Sequence, residues 1–265
     1  MGGFALVVNS LVPVRAEPDD RAEMETQLLF GDAVRILDDR RQWRLIENVY
    51  DGYQGWIDEK SILPVDDKDF YLYRNEKPVY VRDLTGGLVM PDGTIQTLVA
   101  GSRLPFFENG KVRAGDRQFT YLGEHISGRK DLETLFALAE IYLNAPYLWG
   151  GNSPFGIDCS GLTQMLFRTT GLYRLPRNAS QQVKEGKLID FPDRRPGDLA
   201  FFADERGKIV HVGLVWEDGK ILHAHGRVRL DTLQVDGIWN EERGELTHTL
   251  AAITRVAEEV IGMLD

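Results

Sequence analysis

A single cysteine, Cys159, is all the thiol chemistry in this chain of 265 residues. One thiol cannot close an internal disulfide, so packing alone must hold the fold, and a reducing compartment fits. Long apolar runs are missing too: no stretch approaches the ~20 residues of a membrane helix, so no membrane partner is expected. The first ten residues lack a basic segment, and their apolar stretch, residues 4–8, is shorter than the ~7–15 residues of a secretory leader core. As written, the chain is expected in the cytoplasm, or outside it if a leader has been removed. Basic residues are outnumbered, 31 against 41, leaving a formal charge of −10. That field repels polyanions, which argues against nucleic acid and anionic lipid and favours small substrates carrying an amine. Low-complexity tracts are absent, and 43% hydrophobic with 27% charged residues is the composition of a globular protein. The length suggests two domains, or three small ones.

What is present divides the chain by texture. Residues 11–62 alternate short apolar runs with turn signals, among them Leu-Val-Pro-Val-Arg, Ala-Val-Arg-Ile-Leu and Gly-Tyr-Gln-Gly-Trp-Ile, the pattern of a small all-β barrel. Pro-Val-Tyr-Val-Arg at 78–82, Leu-Pro-Phe-Phe at 104–107 and Gln-Phe-Thr-Tyr-Leu-Gly at 118–123 repeat that character. Two β modules follow, 1–64 and 65–127, jointed at Pro64-Val65-Asp66-Asp67. From residue 128 the pattern becomes α+β. Apolar residues at 132, 135, 136, 139, 142 and 143 predict an amphipathic helix over 131–144, stopped by Pro146. A glycine-rich loop runs over 147–156, and a second helix starts at Cys159. Residues 199–202, 209–216, 221–224 and 251–256 read as antiparallel strands.

Cys159 therefore sits where a glycine-rich loop becomes a helix, near unpaired N–H groups and the positive end of the helix dipole, which favours thiolate. A buried small hydrophobe is the plain alternative. A nucleophilic thiolate also needs a base and a group that orients the base. Five histidines are available, at 125, 211, 223, 225 and 248, and three of them fall in the hairpin over 211–225. A two-residue turn at Asp218-Gly219 would put His211 and His223 on opposite faces, whereas a three-residue loop, Glu217-Asp218-Gly219 with Gly219 left-handed, puts them on one face, with His223 opposite Gly213 and His225 opposite His211. Periodicity supports a histidine pair there but does not choose between His223 and His225. A CysHis₃ zinc set is a rival, although the spacing matches no usual zinc pattern.

Four blocks in order, Pro146-Tyr-Leu-Trp-Gly-Gly, Gly156-Ile-Asp-Cys-Ser-Gly-Leu, Arg195-Pro-Gly-Asp-Leu-Ala-Phe-Phe, and His211-Val-Gly-Leu with Ile221-Leu-His-Ala, give residues 128–256 a resemblance to the NlpC-type cell-wall cysteine peptidases. The resemblance implies a papain-like α+β peptidase domain over 128–265, with Cys159 as nucleophile, His211 as base and His223 as the third member. It also implies Tyr147 beside the developing oxyanion, no cofactor and no metal. Asp158 would raise the thiol pKa, so it is no activator; it either caps the helix or, as in relatives acting on peptides with a free N-terminus, binds the substrate amine. Trp149 and Ser160 are placed among the substrate contacts by the same likeness.

The two β modules resemble bacterial SH3-like domains, so the fold expected is two small all-β barrels followed by the peptidase domain. Glu25-Thr-Gln-Leu-Leu-Phe-Gly and Gly52-Tyr-Gln-Gly-Trp resemble the first module of γ-D-glutamyl-L-diamino-acid endopeptidases, which implies that Glu25 and Tyr53 hold the terminal amine of L-alanine. Where such relatives have an aspartate-serine pair, this chain has Asn178-Ala179-Ser180, so Arg177 or Ser180 would take over a contact to the γ-glutamyl carboxylate. The activity implied is cleavage of the γ-D-Glu to diamino-acid bond (meso-diaminopimelate or Lys) in peptidoglycan stem peptides with a free L-Ala, by a monomer. An amidase or acyltransferase on the same residues, or a cell-wall binding protein with an inert third domain, are the alternatives.

Overall fold

The computed structural model describes residues 3–257. They form two compact units, one of residues 3–128 with 149–154, the other of residues 129–148 with 155–257.

In the first unit, β1 (Phe4–Val7), β2 (Leu11–Arg15), β3 (Met24–Leu29), β4 (Ala33–Arg40), β5 (Trp43–Asn48), β6 (Gln54–Asp58) and β7 (Ile62–Val65) make one antiparallel sheet in the order β3-β2-β6-β5-β4-β1-β7. Alternation along the strands turns Ala5, Val7, Val12, Val14, Leu28, Val34, Ile46 and Ile57 into one apolar cluster. A helix that the sequence pattern does not announce, α1 (Asp67–Asn75), follows at once. Asp66 caps it by accepting from the Asp69 N–H, and acidic residues fill its first turn. Then come β8 (Val79–Val81), β9 (Thr85–Val89), β10 (Ile95–Val99), β11 (Lys111–Ala114), β12 (Arg117–Leu122) and β13 (His125–Ser127), as a four-stranded sheet β10-β9-β12-β11 and a β8–β13 pair. Leu6, Phe30 and Ala33 share a core with Tyr73, Val81, Leu88, Leu98 and Phe119. That common core is why the stretch expected as two modules packs as one unit. The short strand β14 (Asn152–Ser153) also belongs to this unit.

The second unit begins with α2 (Leu132–Glu140), capped by Asp131 and shorter than the periodicity suggests. Beyond Glu140 the N–H groups of 141–143 bond three residues back instead of four, and Asn144 turns left-handed at φ 66°. After β15 (Gly156–Ile157) come α3 (Cys159–Thr170) and α4 (Ala179–Gln182), then β16 (Lys187–Leu188), β17 (Leu199–Ala203), β18 (Ile209–Val215), β19 (Lys220–His225), β20 (Arg227–Leu233), β21 (Gly237–Asn240) and β22 (Glu245–Arg255). Strands β17 to β21 are neighbours in chain order. Because β22 pairs with both β17 and β21, six strands close into a ring. Ala200, Phe202, Val215, Ile221, Leu233, Ile238 and Ile253 draw a buried cluster from all six, so it fills the ring's interior. Two of these strands, β20 and β21, and the first half of β22 are not signalled by the sequence pattern.

Candidate active site

The hairpin of β18 and β19 has the register of the three-residue loop, not that of the two-residue turn. Residues 217–219 form the loop, Gly219 lies at φ 69°, and Gly213 faces His223. Asp218 is left-handed as well, at φ 53°. Period-2 alternation then carries His211, Gly213 and Val215 on one face of β18 and Ile221, His223 and His225 on the same face of β19. Val215 and Ile221 belong to the interior cluster, so the histidines occupy the polar continuation of the ring's inner face. Gly213 is needed there: a Cβ would lie 2.7 Å from the Ile221 side chain and 3.0 Å from the His223 Cβ.

His211 Nε2 and His223 Nδ1 are 2.9 Å apart, and His223 Nε2 is 3.0 Å from Asp231 Oδ2. Asp231 stands on β20, where Arg229 closes on it with Nη2 at 2.9 Å and Nε at 2.8 Å. His225, left open against His223 by periodicity, has no bond in this row; it pairs across the tight turn at Gly226 with Arg227. His248 on β22 is a member that sequence reading missed: it stacks on His211 with ring centroids 4.3 Å apart and is edge-on to His225 at 4.8 Å. Burial first, then the facing imidazoles of His223, His248 and His225, holds His211 well below the ordinary histidine range. Burial, followed by His223 and His225, takes His248 down to about 4. The ring nitrogens of His211, His223 and His248 lie within 4.8 Å of one another. Both His223 nitrogens are already engaged, so a cation there would displace its bond to His211 or to Asp231.

Cys159 opens α3, a helix buried on every side, and the Val212 N–H, next to His211, hydrogen-bonds its sulfur. The terminus favours thiolate as expected, yet burial, with Asp158 second, outweighs it and pushes the thiol up to about 12. Burial thus opposes the thiolate that the position at the helix start favours. Asp158 is the N-cap: Oδ1 accepts from the Gly161 N–H at 2.7 Å. It also forms a buried ion pair with Arg177, whose Nη2 and Nη1 donate to it at 2.6 and 2.9 Å, while Nη1 reaches Ser160 Oγ at 2.9 Å. Tyr147 is exposed, but desolvation of its phenol, then the negative forms of Cys159 and Asp158, pushes it up to about 12, so it remains a donor. Ser180 is exposed on α4.

The other candidates lie in the first unit. Glu25, on β3, is partly buried, and burial and the charge of Glu23 raise its carboxyl. Trp149 is exposed, with its Nε1 donating to Glu23 at 2.8 Å. Gly150, at φ 75°, passes so close to β3 that a Cβ would meet the Met24 carbonyl oxygen at 2.6 Å. Tyr53 is half-buried before β6, its N–H on Asp51 at 3.0 Å. In the third motif block, Asp198 serves structure: it pairs with Arg255 at 2.7 and 2.8 Å and accepts from the Arg195 N–H.

Residues 144–244 match the model of the NlpC/P60 family, and residues 14–62 match that of the bacterial dipeptidyl-peptidase SH3 domain. The γ-D-glutamyl-L-lysine dipeptidyl-peptidase of Bacillus subtilis (strain 168) is 31% identical over 233 residues, covering 76% of this chain and 72% of its own. Dipeptidyl-peptidase 6 of Lysinibacillus sphaericus is 27% identical over 278 residues, 94% of this chain and 98% of its own. Among solved structures, an NlpC/P60 family protein from Bacillus cereus ATCC 10987 shares the fold, with a TM-score of 0.83 at 22% identity over 97% of this chain and 100% of that one. The chain belongs to the NlpC/P60 family, a peptidase with a bacterial dipeptidyl-peptidase SH3 domain ahead of its catalytic domain.

Proposed function

We propose that this peptidase hydrolyses the γ-D-Glu to diamino-acid bond of peptidoglycan stem peptides that begin with a free L-Ala, releasing L-Ala-γ-D-Glu. The observation that carries the reading is the buried row His211–His223 set beside Cys159 by the Val212 N–H. The names of the Bacillus and Lysinibacillus relatives support the substrate class. In the same reading, residues 65–127 are a second SH3-like module, and α3 with the six-stranded ring forms a papain-like core.

Cys159 is the nucleophile and His211 the general base. Because the thiol is held up and the imidazole down, the proton passes from sulfur to His211 as the sulfur attacks the γ-amide carbonyl, not from a standing thiolate–imidazolium pair. Tyr147, protonated throughout the neutral range, donates to the developing oxyanion with the Cys159 N–H. His211 then protonates the leaving amine, and water hydrolyses the thioester. Asp158, Ser160 and Arg177 are already bonded to one another, so the Asp158 charge is offset by Arg177. In this reading the substrate amine is assigned to Glu25 and Tyr53, with Trp149, and the γ-glutamyl carboxylate to Ser180.

Mass spectrometry of products from L-Ala-γ-D-Glu-meso-diaminopimelate and its N-acetylated form tests this. The free peptide should yield L-Ala-γ-D-Glu and the acetylated one should resist. Equal cleavage of both would remove the amine requirement, and an active Cys159→Ala protein would remove the mechanism.

A further inference from the structure

The row does not end at His223. Asp231 has no exposed side-chain surface, and neither has His223. The Asp231 carboxylate receives His223 Nε2 on one oxygen and an Arg229 Nη2 hydrogen bond on the other, and Arg229 Nε lies 2.8 Å from the first oxygen as an ion-pair contact. Arg229 is in turn held by Glu242, with Nη1 on Oε2 at 2.7 Å. An ionised carboxylate only accepts, so a neutral His223 must carry its proton on Nε2. Its Nδ1 is then a lone pair, which can only accept from His211 Nε2–H across the 2.9 Å contact. The Nδ1 of His211 is left as the basic atom.

We propose that Asp231, locked by Arg229, is a positioning residue that sets the polarity of the whole row, Asp231 ← His223 ← His211, and so makes His211 Nδ1 the atom that takes the thiol proton. This rests on the reading of Cys159 and His211 as nucleophile and base. The alternative polarity requires His223 to be doubly protonated, donating from Nδ1 to His211. It is disfavoured because Arg229 already balances Asp231, and because His211, His225 and His248 surround an imidazolium that would have no exposure to water. The carboxylate's state agrees: burial pushes it up, but the bonds from His223 and Arg229 and their charges bring it below the ordinary range.

The test is the nitrogen spectrum of the full chain labelled with ¹⁵N-histidine at neutral pH, with long-range proton couplings separating the two tautomers. Both His223 and His211 should be protonated on Nε2 and bare on Nδ1. A proton on Nδ1 of either ring overturns the inference without any variant, so it is decided even if substitutions at this buried site fail to fold. In Asp231→Asn, whose amide can donate or accept, the His223 tautomer should become mixed. At the same time kcat should fall on the order of 10²-fold with KM within about twofold, less than the ~10⁴ lost when the carboxylate touches the base itself. Wild-type tautomers and wild-type kcat in Asp231→Asn, beside an inactive Cys159→Ala, sink this inference while the peptidase reading stands. An active Cys159→Ala sinks that reading and, with it, the role of His211 Nδ1 as proton acceptor.

Discussion

The first unit carries more strand than the second, and the two bury different chemistry. Among the described residues, the first unit buries one charged side chain, Asp32, which accepts from the Leu29 N–H in a turn. The second buries Asp158, Arg168, Arg177, Asp198, His211, His223 and Asp231. A buried charge is costly unless paired, and here Asp158 meets Arg177, Asp198 meets Arg255, and Asp231 meets Arg229 and His223. The first unit's interior is mainly apolar, whereas the second accepts buried charge and organises it into pairs and rows.

Cys159→Ala breaks the comparison most sharply, because it removes the chemistry and leaves the packing: turnover should drop by ~10⁴-fold or more, with a urea midpoint near that of the wild type. Arg177→Met comes next. It leaves Asp158 buried without its ion-pair partner, and the loss in urea titration should be about 3–5 kcal/mol. A loss under 1 kcal/mol would mean that this pair is not what stabilises the start of α3.

Acid should separate the units next. The folded values of His211, His225 and His248 lie below the ordinary 6.5, His248 at about 4. Between those limits the unfolded chain binds more protons than the folded one, so stability is full above about pH 6.5 and declines as pH falls toward 4. Urea midpoints across that window check the sign; a midpoint that rises on acidification would contradict it. The smallest effect belongs to Arg35→Ala, since its exposed pair with Glu47 on the first unit should be worth about 0–1 kcal/mol.

Much of the site is legible in the sequence, and the gaps have one cause. The His211–His223 register is legible up to the length of the turn, because a hairpin is local: two turn residues would put the side chains on opposite faces and three put them on one. The Asp158 cap is legible for the same reason, lying three residues from the N–H it accepts. Asp231 is not legible, since its place depends on two successive pairings, β18–β19 and β19–β20, through a turn at Gly226. His248 is further still, reached only when β22 closes the ring. Helix α1 escapes the pattern because residues 70–73 are apolar in succession, a run that period alone does not assign.

The sequence by itself determined the local chemistry: which residue types stand at a helix start, across a hairpin and at a tight turn. Only the tertiary structure decided the state of that chemistry. The dipole at the start of α3 argues for a thiolate, but burial of Cys159, with Asp158 second, pushes the thiol up to about 12, and burial depends on what packs around a group more than on its neighbours in the chain.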